Sequence, residues 1–143
     1  MPFLQEFIMN RRESRISAFC LLFESDFHPD CTFSEIYERA EAVGELKINS
    51  FTRNLFETVT ANITSIDAEI EKSSDNWKIS RFSAVARAII RMGVGEIMYT
   101  DVPPKVAINE SVEIAKIYDD KKAVSFINGI LNNIARNLGK IED

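Results

Sequence analysis

Apolar residues recur at intervals of three and four along nearly the whole 143-residue chain. That period is the signature of one-sided helices packed on a core. Ile16, Phe19, Cys20, Phe23 and Phe27 form one stripe, and Ile36, Tyr37, Ala40 and Val43 a second. The cleanest is Phe51, Leu55, Val59, Ile63, Ile66 and Ile70, whose other face is polar. Phe82, Val85, Ile89, Met92 and Ile97 follow, then Val106, Ile108, Val112 and Ala115, then Val124, Ile127, Leu131, Ile134 and Leu138. No alternating segment bounded by hairpin turns interrupts them. The reading is all-α: a single compact domain of about seven helices.

Local signals set the boundaries. Asn10 stands three residues before Glu13, the offset of a capping box, so the first helix starts near Arg11. Pro29 ends it. Thr32 with Glu35 opens a second helix that Gly44 closes, and Ser50 is the expected cap of the third. Lys72–Asn76 is a polar break, Trp77 and Ile79 begin a short connection, and Pro103–Pro104 start another helix. Tyr118–Lys122 reads as a charged turn, and Gly139 ends the last helix. Gly93 and Gly95 fall inside a helix at about 1 kcal/mol each relative to Ala, which implies close approach by neighbouring helices.

Five Gly, four Pro and two Cys, against 45% hydrophobic residues, exclude collagen-like, disordered and disulfide-scaffold chains. The length suits one domain spanning residues 1–143, which buries roughly two-thirds of its unfolded surface. No apolar run approaches the ~20 residues of a membrane span. The opening MPFLQEFIMNRRES lacks the basic-then-apolar order of a signal peptide. A cytoplasmic protein without membrane attachment is expected.

The net charge of −5 hides an asymmetry. Residues 1–23 carry three bases against two acids, residues 24–75 four against twelve, and residues 76–143 ten against eight. A weakly basic surface can therefore coexist with an acidic one, so the net charge does not forbid an anionic ligand. It argues against strong, indiscriminate nucleic-acid binding, and any RNA site must be local. Catalysis finds little support. There is no glycine-rich phosphate loop, and His28 is the only histidine. His28, Asp30 and Cys31 lack a fourth ligand at a familiar metal spacing. Cys20 reads as a small core residue. No enzymatic activity, metal or cofactor is expected.

Two segments do more than specify helices. VPPKVAINESVEIAK (Val102–Lys116), followed by FINGIL (Phe126–Leu131), resembles the NusB family of bacterial transcription antitermination factors. Supporting matches are ARAIIRMGVGEI (Ala86–Ile97) with Trp77 before it, RNLFETVTANITSIDAEI (Arg53–Ile70) and RRESRISAFCLLFE (Arg11–Glu24). The resemblance covers essentially the whole chain and is weakest across Phe27–Ile48. It implies two helical subdomains and no catalytic activity. It also implies binding of boxA-type single-stranded RNA together with NusE, the small-subunit ribosomal protein, and through that complex an indirect association with the RNA polymerase elongation complex.

Residue by residue, the resemblance places Arg11, Arg12 and Arg15 where the family carries RNA-binding arginines. Read alone, they are three solvated charges opposite Ile16, Phe19 and Phe23. The arm is thinner than the family's cluster and diluted by Glu6 and Glu13, so weaker intrinsic RNA affinity is expected. Phe126 is offset from the Val124–Ile127–Leu131 stripe. Beside Lys121 and Lys122 it suits stacking on a splayed base, the alternative being a Phe packed under the preceding loop. Lys105 sits at a helix start where free N–H groups also favour anions. For Asn109 and Glu110, tying the loop before this helix by hydrogen bonds is as strong a reading as any functional role. Arg87 shares a face with Arg91; the former is assigned to RNA, the latter, with Phe23, to a protein partner. Glu96 is expected to pair with Arg91 or Arg87. Phe23 stands where the family has tyrosine, Ala86 where it often has an acid and Gly95 where it often has tyrosine.

Two other readings remain. One is a helical protein–protein interaction module with little intrinsic RNA binding, favoured if the basic residues are dispersed. The other is a homodimer that buries the RNA face. A monomer and a homodimer are both compatible with the chain alone.

Overall fold

The computed structural model describes residues 10–44, 46–75 and 77–142. The absence of a signal-peptide pattern in residues 1–9, the charge of Glu6 and the Asn76 end of the polar break lie outside them. Among the described residues there are seven α-helices: α1 (Arg11–Phe27), α2 (Phe33–Ala42), α3 (Ser50–Ala61), α4 (Ile63–Ser73), α5 (Ala84–Tyr99), α6 (Pro104–Tyr118) and α7 (Lys121–Asn137). A single 3-10 turn, Ile79–Arg81, precedes α5.

Local chemistry explains the ends. The Asn10 side chain accepts from the Glu13 N–H at 2.8 Å. Thr32 and Glu35 close a reciprocal capping box, and Asp120 caps α7. Two expectations are corrected. Asn49, not Ser50, caps the third helix, accepting from the Thr52 N–H at 2.9 Å. The stripe from Phe51 to Ile70 is two helices broken at Asn62. Thr60 Oγ1 donates to the Phe56 carbonyl and Asn62 Nδ2 to that of Thr58, offering the backbone side-chain partners that compete with helix continuation. The apolar period passes through the break, so the stripe alone does not reveal it.

The hub is α5, which packs on α1, α3, α4, α6 and α7. Ala88, Ile89, Ile90, Met92, Val94 and Ile97 are all buried along it. The two glycines make this closeness possible. A Cβ at Gly93 would lie 2.7 Å from Ser111 Oγ on α6, and one at Gly95 would lie 2.5 Å from Val59 Cγ2 on α3. Around this hub, α1 packs with α2 and α3, while α7 packs with α4 and α6. One hydrophobic core runs through both groups.

Candidate functional site

The three arginines of α1 are given different tasks by the fold. Arg15 donates from Nε and Nη2 to Glu96 Oε1 and Oε2 at 2.7 and 2.9 Å. The two side chains are 5% and 0% exposed. A parallel fork orients both partners, and either charge alone would be stranded away from water. This burial withdraws Arg15 from the residues expected to meet RNA directly. It also corrects the expected partner of Glu96. Spacings of five and nine residues turn Arg91 and Arg87 to other faces of α5.

Arg12 remains exposed but forks onto Glu110 at 2.8 and 3.3 Å, joining α1 to α6. Glu110 therefore ties a distant helix and not the preceding loop. Arg11 lies with its guanidinium 4.3 Å from the centre of the Phe51 ring, a cation–π geometry that leaves its donors available.

Arg87 and Arg91 are largely spoken for. Arg87 donates to Asp26 Oδ2 at 2.9 and 2.7 Å and to the carbonyls of Ile79 and Phe82. Arg91 forks onto Asp67 at 2.9 and 2.8 Å and reaches Asp26 at 3.3 Å. Burial lowers the Arg91 pKa, but Asp67 and Asp26 more than offset it. The network fastens α5 to the end of α1 and to α4. Asp26 and Asp67 were not legible as its members, because partners this far apart in sequence leave no local spacing.

The lysines are different. Lys105 in the first turn of α6 and Lys121 and Lys122 in the first turn of α7 are exposed. None has an ion-pair partner among the described residues. Phe126 lies one turn beyond Lys122 on the same face, 39% exposed, with its ring edge-on to Phe82 at 5.2 Å. Phe126 also walls a cleft of about 360 Å³ between α7 and the connection after α4. Trp77 and Arg136, which share that cleft, were missed as candidates; the available signal was a tryptophan in a short polar connector.

A second concavity lies beside α1 and α2. Phe23 is partly buried in the wall of an open groove of about 780 Å³, together with Ile16, Phe19, Val43 and Val85. Its ring packs on Phe27 at 5.0 Å and Phe19 at 6.4 Å, and Phe19 continues to Tyr118 at 5.1 Å. Cys20 also lines this groove, and burial pushes its thiol pKa up, so its reactive thiolate is disfavoured. Ala86 is buried. His28 lies between Glu24 and Arg39, 3.3 and 2.9 Å away. Among the described residues no group of three His, Cys, Asp or Glu is placed to hold a metal, and no helix is long and apolar enough to cross a membrane.

The arrangement therefore offers an aromatic surface beside unpaired lysines, and a separate apolar groove. The basic residues do not form one uncompensated patch, since Arg12, Arg15 and Arg87 are each held by a carboxylate. The family model described as the NusB family matches residues 12–136. A transcription antitermination protein NusB from Listeria monocytogenes is 42% identical over 128 residues, covering 89% of this chain and 97% of that protein. The structure of T. maritima NusB has a TM-score of 0.78 at 29% identity, covering 90% of this chain and 92% of that one. A crystal structure of the antitermination factors NusB and NusE in complex with double-stranded RNA gives 0.78 at 27% identity, covering 89% and 96%.

Proposed function

The chain belongs to the NusB family, and from that premise we propose that it is an RNA-binding transcription antitermination factor acting with NusE on boxA-type RNA. It joins the elongating polymerase through that complex, in the cytoplasm, and its work is binding rather than catalysis. The likeness to a NusB solved together with NusE and RNA carries this reading. Single-stranded RNA is the better fit to this chain, because an exposed Phe126 can stack only on a base free of its duplex partner. Lys121, Lys122 and Lys105 supply phosphate contacts, and Arg11 and Arg12 extend them. Arg87 and Arg91 act by positioning α5, as Arg15 does from α1. Phe23 and the groove beside it form the protein-partner surface.

The carboxylate-held arginines favour one refinement: RNA binding by the chain alone is weak, and NusE completes the site. Labelled boxA-type single-stranded RNA, titrated with and without NusE across a salt series, tests this. Affinity that rises markedly with NusE and falls with salt is expected. Sequence-blind or absent binding in both arms overturns the reading and leaves a helical protein-interaction module.

A further inference from the structure

Trp77 is the only tryptophan in the chain, and 54% of it is exposed. Tryptophan, apolar in body with one polar N–H, is enriched where proteins contact other molecules. Hydrogen bonds join Trp77 to Ser74, and Ser73 to α7. The Trp77 N–H donates to the Ser74 carbonyl at 3.1 Å, and Ser74 Oγ donates back to the Trp77 carbonyl at 3.0 Å. From α7, Asn133 Nδ2 donates to the Ser73 carbonyl and Asn137 Nδ2 to Ser73 Oγ, at 3.0 and 3.1 Å. Ser73, four residues before Trp77, is thus tied to the helix bearing Phe126 and Arg136.

The cleft between them measures about 360 Å³, near the small end of the ~300–1,000 Å³ range of small-ligand sites. Its lining includes the aromatic residues Trp77 and Phe126, the polar residues Ser125 and Asp75, and the exposed Arg136, which has no ion-pair partner among the described residues. Gly129 lies three residues beyond Phe126, and a Cβ there would meet nothing within 4 Å. Aromatic faces take a base, a free guanidinium takes its phosphate, and a carboxylate accepts from an exocyclic amine but not from a second anion.

We propose that this cleft is a nucleobase subsite. It holds one unstacked, amino-bearing base of single-stranded RNA against Trp77 and Phe126, with the adjoining phosphate at Arg136. The inference rests on the RNA-binding reading and adds to it a defined position for one base.

The test uses the full chain with NusE and fluorescently labelled boxA-type single-stranded RNA. Label anisotropy reports binding anywhere, while tryptophan emission, with that of NusE subtracted, reports Trp77 alone. Emission is expected to be quenched along the same isotherm as the anisotropy. Trp77→Ala should weaken binding by roughly 5- to 150-fold, the span of one base–aromatic stack, and Trp77→Phe should restore most of it. Gly129→Met should fill the cleft and weaken RNA binding while raising the melting temperature, because methionine is the better helix former. Full anisotropy change with unmoved Trp77 emission, and Trp77→Ala and Gly129→Met binding as the wild type does, would overturn the subsite and leave RNA binding standing. No anisotropy change would overturn the RNA reading and the subsite with it.

Discussion

At Arg15 the contest between binding and folding is decided by desolvation. Its guanidinium and the Glu96 carboxylate are both shut from water, so each is tolerable only because of the other. Replacing Glu96 by Gln keeps the shape and strands the cation, which should cost about 3–5 kcal/mol in urea unfolding. Arg15→Met combined with Glu96→Leu should recover much of that loss, since apolar pairs of similar size commonly replace buried ion pairs without penalty. RNA affinity per folded molecule should stay level in the double variant. A large fall there would return Arg15 to the RNA surface. Nothing at either residue's own position announces the other: one reads as the third arginine of a solvated arm, the other as a lone acid in an apolar helix. Phe126 was readable, because its exposure follows from its offset against the stripe of its own helix.

Elements were legible where their causes are local. The Asn10 and Thr32 caps, the Pro103–Pro104 start and the Gly139 end all depend on residues a few positions apart. The break at Asn62 was hidden because the apolar stripe continues across it, and only the side-chain bonds to Phe56 and Thr58 expose the competition. Gly93 and Gly95 announced close helix contacts by their propensity cost alone, though not which helices. Their packing gives a sharp contrast between glycines. Gly95→Ala should destabilise by about 1–3 kcal/mol, since its methyl would press on Val59 in a filled core. Adding Val59→Ala should relieve the clash, giving a coupling above ~0.5 kcal/mol in a double-mutant cycle of thermal or urea unfolding. Gly129→Ala, facing open space in α7, should instead stabilise by up to about 1 kcal/mol. Equal effects at the two positions would mean that helix propensity, and not the α3–α5 contact, governs Gly95.

For the molecule as a whole, the question is how a chain of net charge −5 holds a polyanion. Its acids are concentrated before residue 76, and several spend themselves on the arginines: Asp26 and Asp67 on Arg87 and Arg91, with Glu110 later in the chain on Arg12. Self-neutralisation of this kind knits α1, α4, α5 and α6 together while thinning the field that would steer RNA from a distance. Among the described residues, Lys121 and Lys122 near Phe126 and Lys105 at the start of α6 keep no ion-pair partner. The electrostatic share of RNA binding should accordingly be small. Each phosphate met by a lysine adds about 0.7 to the slope of log affinity against log salt for a single strand. Lys121→Gln with Lys122→Gln should therefore flatten that slope by roughly 0.7 for each lysine engaged, and weaken binding alike for every RNA sequence. Trp77→Ala should do the reverse, lowering affinity at all salt concentrations while leaving the slope unchanged, because a stacked base releases no counterion. If the lysine pair leaves the slope where it was, the phosphates lie elsewhere, and Arg11, Arg12 and the NusE surface become the groups to titrate next.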